Sequence, residues 1–139
     1  LVTAVSGTAV VGPEWVGRLA PGAVVVDVGI DNVSPQFCEV ALAAGVQVLR
    51  LDTRAAEAQV LWPAPGFFDG TFGRGTIGGV RVVAGGVVGW RGDVVVDDRS
   101  QPSRVIGVAS GSGGLVPEHD LTDKQREGVH HVRAVLLGR

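Results

Sequence analysis

Residues 23–28, AVVVDV, form an apolar run broken by a single aspartate, with Pro21-Gly22 before it and Gly29 after it. A short continuous run bounded by turn residues predicts a strand of a parallel sheet covered on both faces. Two similar runs flank it, residues 1–5, which end at Ser6-Gly7-Thr8, and residues 46–51. Between them lie two helix starts. Pro13 suits a first helical turn and Glu14 the positive end of its dipole, which predicts a short helix over 14–19. Ser34 can cap a second helix with Pro35 at its first position. Phe37, Val40, Ala41 and Ala44 then recur on one face, and Gly45 closes it. Strand, helix, strand, helix, strand within residues 1–52 is the rhythm of a doubly wound α/β fold, so the chain opens inside a partial, Rossmann-like parallel sheet.

From Trp62 the texture changes. Trp62-Pro63-Ala64-Pro65-Gly66 cannot be regular helix, and Phe67, Phe68 and Phe72 follow among glycines. These aromatics can cover the core, dock on a missing segment or form a homo-oligomer contact. Beyond them, Val-rich runs at 80–84, 87–90, 93–97 and 104–109 are separated by turn signals and predict an antiparallel meander or hairpins. Thr122 to Gln125 has the pattern of a capping box, followed by Val129, Val132, Val135 and Leu136 at helical spacing, which predicts a C-terminal helix. The expected organisation is 1–61 as the second half of a Rossmann-like domain, 62–79 as an aromatic and glycine-rich loop, and 80–139 as β-hairpins plus a helix packed with the first part.

Composition excludes several function classes. The 139 residues suffice for one core, and a net charge of -2 with scattered basic residues argues against nucleic acid. Cys38 is the only cysteine, so there is no internal disulfide, as expected of a reducing, cytoplasmic setting. No apolar run reaches the roughly 18 residues of a membrane helix, so no membrane partner is expected. Methionine is absent, and an initiator is seldom removed before a residue as large as Leu1; the expectation is that residues upstream have been lost.

Catalytic constellations are sparse. His130 and His131 are adjacent on a helix and point about 100° apart, so they do not make a metal pair. Asp93, Asp97 and Asp98 read as hairpin ends, Arg91-Gly92-Asp93 as a turn, and Cys38 beside Phe37 as buried filler. Ser6, Ser110 and Ser112 lack a nucleophile elbow. Residues 109–120, ASGSGGLVPEHD, offer several backbone donors for an anion, but Glu118 and Asp120 oppose one and no Walker lysine is present. In GRGTIGG, residues 73–79, Arg74 could partner an anion, although a turn into the strand at Val80 is the simpler reading.

Residues 6–31, SGTAVVGPEWVGRLAPGAVVVDVGID, resemble the nicotinamide-proximal half of the NAD(P)-binding domain in the methylenetetrahydrofolate dehydrogenase and cyclohydrolase family. S-adenosylhomocysteine hydrolase carries a looser version. The resemblance covers about a fifth of the chain and implies NAD or NADP as cofactor. Ser6, Gly7 and Thr8 would line its ribose or amide side, and Gly29, Ile30 and Asp31 would border the same crevice outside the carboxyl ends of the strands. The plainer reading is that Gly7 and Gly29 merely end strands. The chain departs from the family at WPAPGFFDGTFG and in the β-rich stretch that follows, and the family's catalytic lysine region belongs to an earlier domain. A G-x-G-x-x-G turn in a strand-to-helix context is also missing.

Two readings follow. One is the C-terminal part of an NAD(P)-dependent oxidoreductase that transfers hydride to or from a small-molecule substrate. The other is a non-catalytic α/β binding or subunit-assembly module.

Overall fold

The computed structural model describes residues 1–29, 31–50 and 74–138. Three short strands, β1 (Val2–Thr3), β2 (Val24–Asp27) and β3 (Gln47–Arg50), pair in parallel in the order β1-β2-β3. The first connection is a 3-10 helix, Pro13–Arg18, one residue earlier at each end than the short helix expected over 14–19. The second is α1 (Pro35–Ala43), where the Ser34 hydroxyl accepts the Phe37 N–H at 3.0 Å, Pro35 opens the first turn and Gly45 leaves it at φ 72°. These terminal signals act as predicted.

The buried stripe of α1 is Phe37, Cys38, Ala41 and Leu42, whereas Val40 is 43% exposed and Ala44 is exposed. The inward face is thus rotated about one residue, or 100°, from the expected one. It is wedged between the 3-10 helix and the sheet, so Cys38 and Leu42 face the core. Both connections pack on the face of the sheet that carries Val25 and Val48. The opposite face is open at Val2 (66% exposed) and Val24 (38%), so among the described residues β2 is covered on one face rather than two. Strands that advance in one direction through right-handed crossovers place their helices on a single side.

A second sheet has the order β4-β5-β6-β7, formed by Arg74–Ile77, Val80–Ala84, Val94–Val96 and Val105–Val108. β4 and β5 make a hairpin through Gly78-Gly79, both at positive φ (57° and 83°), as a two-residue turn matched to strand twist requires. β5 and β6 are parallel, which corrects the expected meander, and β6 and β7 are antiparallel. Residues 87–90, expected as a strand of this sheet, leave it instead. Val87 bridges Leu49, the Val88 N–H donates to the Val48 carbonyl at 2.9 Å and Arg50 N–H donates to Gly86 at 2.7 Å. The two sheets are joined there, along the outer edge of β3.

The C-terminal helix α2 (Asp123–Leu137) opens with the predicted capping box between Thr122 and Gln125. It buries Val129 and Val132 against Val82, Val94, Val96 and Val108. No helix among the described residues is long and apolar enough to cross a membrane.

The loop from Asp97 to Arg104 is tied by its own carboxylates. Burial pushes the Asp97 carboxyl up, but the Ser103 hydroxyl and the N–H groups of Ser103, Arg104 and Asp98 outweigh it and hold it well below the ordinary range. Asp98 is lowered by the Gln101 N–H and the Ser100 hydroxyl. Because folding lowers both, the folded chain binds fewer protons than the unfolded one in the acid range. Their contribution is complete above about pH 5 and is lost as pH falls further. Ser103→Ala should therefore destabilise the chain at pH 7 and cost less and less below about pH 4, checked by urea melts at several pH values. A deficit independent of pH would contradict this account.

Candidate functional site

In an open parallel sheet the carboxyl ends of the strands are where a ligand can approach backbone groups. Here those ends carry Thr3, Asp27 and Arg50, which are neighbours in the register. Asp27 is fully buried. Its Oδ1 accepts the Thr3 hydroxyl at 2.9 Å, its Oδ2 the Val33 N–H at 3.4 Å, and the Arg50 Nε lies 3.9 Å from Oδ2. The same guanidinium pairs with Asp31 and donates to the Gly113 carbonyl at 2.8 Å. Arg50 is thus the cation between two carboxylates and the strap that holds loop 110–114 of the second sheet over the first. A cavity of about 90 Å³ lies beside it, lined by Arg50, Gly86, Val88, Ala109 and Gly113.

Gly7 and Asp31, from the two loops predicted to border one crevice, are linked through their neighbours Asn32 and Ala9. The Ala9 N–H donates to the Asp31 carbonyl at 2.7 Å, and Asn32 clamps the loop from below. Its Nδ2 donates to the Val5 and Gly7 carbonyls at 2.8 and 2.7 Å, while its Oδ1 accepts the Val5 N–H at 3.2 Å. Asn32 is fully buried, so these bonds satisfy an amide that has no other access to water. Ser6, Gly7 and Thr8 remain exposed. Asp31 takes the left-handed conformation (φ 57°), which a short polar side chain tolerates.

The glycines have internal reasons. A Cβ on Gly29 would lie 2.0 Å from Asn32 Oδ1, and one on Gly7 would lie 2.9 Å from a Val10 methyl. Gly29 makes room for the clamp. Ile30 lies outside the described residues, as do Trp62, Phe67, Phe68 and Phe72.

The remaining candidates resolve into structural roles. In loop 110–114 the Ser110 Oγ already accepts the N–H groups of Ser112 and Gly114, both at 3.2 Å, so two of the backbone donors there are taken. Arg74 stacks on the Trp90 ring at 5.0 Å from a strand rather than a turn. His130 and His131 are both exposed, and His131 Nε2 lies 3.0 Å from the Gly78 carbonyl. Cys38 is buried, and its thiol is pushed up to about 11 by burial and by the Asp27 and Glu39 carboxylates, which leaves it a poor nucleophile. Asp93 is buried in the turn that begins at Trp90. Its Oδ2 accepts the Trp90 N–H at 2.9 Å; Arg81 Nε stands 3.0 Å from Oδ1 but off the line of its N–H, an ion pair rather than a hydrogen bond. Among the described residues no three His, Cys, Asp or Glu side chains gather as a metal site would need.

Comparison with protein-family models, with curated proteins and with solved structures finds no match. What the crevice can do follows from its own residues. Asn32, Arg50 and Thr3 were missed in the sequence, although a charge ending each of two apolar runs, Asp27 and Arg50, was a usable signal for adjacent strands.

Proposed function

We propose that this chain is the C-terminal part of an NAD(P)-dependent oxidoreductase, and that loops 6–8 and 29–31 seat the nicotinamide end of the cofactor in a cytoplasmic enzyme. One observation carries the reading. The three parallel strands run in sequential order with both helical connections on one face; among the described residues the other face is open at Val2 and Val24 and no strand pairs with the β1 edge. Each half of a doubly wound sheet would have this arrangement, with the ligand crevice at the strand order's reversal beside such an edge.

The fit is one-sided. The exposed Ser6 and Thr8 hydroxyls and the Gly7 backbone suit a ribose or carboxamide, whereas the space at Gly29 is filled by Asn32. The described residues offer no phosphate loop, so pyrophosphate binding is assigned to a segment outside them. When bound, the cofactor supplies the hydride chemistry; this chain supplies the seat. Nicotinamide mononucleotide is the matching probe. It should shift the amide resonances of Gly7, Thr8 and Gly29 saturably in the millimolar range, and Ser6→Ala with Thr8→Val should weaken it. No shift at tens of millimolar would defeat the proposal.

The open face also favours a second reading, a non-catalytic assembly module. Val2 and Val24 are 66% and 38% exposed on it. On that reading Val2→Lys abolishes a concentration-dependent association seen by sedimentation, and the mononucleotide has no effect.

A further inference from the structure

The second sheet carries a groove that the crevice does not use. It lies between α2 and the segment that runs from β7 through Leu121, and has a volume of about 500 Å³, within the range of small-molecule sites. Val116 lies on its floor, over the buried Val108 and Val129 of the core beneath α2. At its mouth Ile106 is 44% and Leu115 48% exposed, an apolar lip that the fold leaves uncovered.

The rim carries a net positive charge. Arg126 and Arg133 are seven residues apart on α2, with Val129 and His130 between them, so all four project from the same face. Arg50, Arg81 and Arg104 each stand beside an aspartate. Arg126 and Arg133 have no acidic partner among the described residues, and the only carboxylate on the rim is Glu118. Two guanidinium charges against one carboxylate leave a single positive charge before the imidazole is counted. An apolar slot of this volume beneath a singly positive rim is complementary to a monoanion with an apolar body. A guanidinium fork matches a carboxylate geometrically, and a dianionic phosphate would exceed the rim's charge.

We infer that the groove binds a small amphiphilic monocarboxylate, with its chain on Ile106, Leu115 and Val116 and its carboxylate between Arg126 and Arg133. The site shares no residue with loops 6–8 and 29–31, so it stands whether or not the cofactor reading does.

The test uses sodium octanoate below its micellar concentration, with 1-octanol as the uncharged analogue, followed by methyl and backbone NMR and by calorimetry. The expected result is saturable binding of one octanoate per chain, shifts confined to Leu115, Val116, Val129 and the His130 ring, and affinity at least roughly tenfold above that of octanol. Arg126→Gln with Arg133→Gln, both exposed positions, should remove that preference while leaving octanol binding in place. Absence of saturable binding in the millimolar range overturns the inference. So does equal affinity for the acid and the alcohol on the unmodified protein, a comparison that needs no variant. Shifts at the same methyls produced by raising protein concentration alone would make the groove a contact between copies, and would overturn it too.

Discussion

Arg50→Ala should cost about 3 kcal/mol of folding stability, at the lower end of the range for removing one partner of a buried ion pair. The buried Asp27 keeps the Thr3 hydroxyl and a long contact to the Val33 N–H but loses its one cation among the described residues, and the 3.9 Å separation argues against a larger figure. The same truncation unties Gly113 and leaves Asp31 without its partner. If the buried charge dominates the loss, Asp27→Asn in the Arg50→Ala background should recover part of it, because a neutral amide no longer requires a counter-charge. Arg50→Lys should recover less, since a lysine cannot reach both carboxylates and a carbonyl with one planar fork. Urea midpoints for the parent and the three variants at pH 7 decide the matter. An Arg50→Ala chain within about 0.5 kcal/mol of the parent would mean that the cluster contributes no more than an exposed ion pair.

The second large effect lies at Gly29. A methyl there would stand 2.0 Å from Asn32 Oδ1, and the amide cannot simply swing aside because three hydrogen bonds fix it. Gly29→Ala should cost about 2 to 3 kcal/mol, close to the cost of Asn32→Ala, since each breaks the same clamp. Together they should cost little more than Asn32→Ala alone, a coupling of about 2 kcal/mol between residues in contact. Additive losses would show that the methyl strains the backbone itself. Under the cofactor proposal all three variants should also lose mononucleotide binding, because loop 6–8 is no longer held against residue 31.

Much of the first sheet is legible in the sequence because its determinants are local. Ser34-Pro35, Gly45, Thr122 and Gln125 fix helix ends through bonds within a few residues, and Pro21-Gly22 and Gly29 bracket β2. What escapes is set by distant partners. The face of α1 follows from a 3-10 helix twenty residues upstream, which no count of apolar spacing on α1 itself can include. The run at 87–90 has the composition of a strand, yet it joins β3 of the other sheet, and a valine run does not say which edge it will meet. The hairpin turn at Gly78-Gly79 was marked by its glycines, but the strand before it, RGTI, is too polar to stand out. At the crevice, the pairing of loops 6–8 and 29–31 follows from the parallel arrangement of the strands, whereas the Asn32 clamp depends on φ values that only the folded chain reveals.

The parallel pairing of β5 with β6 has a consequence for how the chain acquires its structure. Parallel neighbours ordinarily need a crossover of about a dozen residues or more, usually a helix laid across their own sheet. Here residues 85–93 make the return, and they do so by borrowing the rim of β3 as a guide rail. β6 therefore finds its place beside β5 only once the first sheet exists to hold the thread between them. Such long-range dependence lengthens the search for the native topology, and it makes late melting of one sheet without the other a forbidden shortcut. Unfolding should pass through a single cooperative step, with the two halves of the molecule sharing one clock.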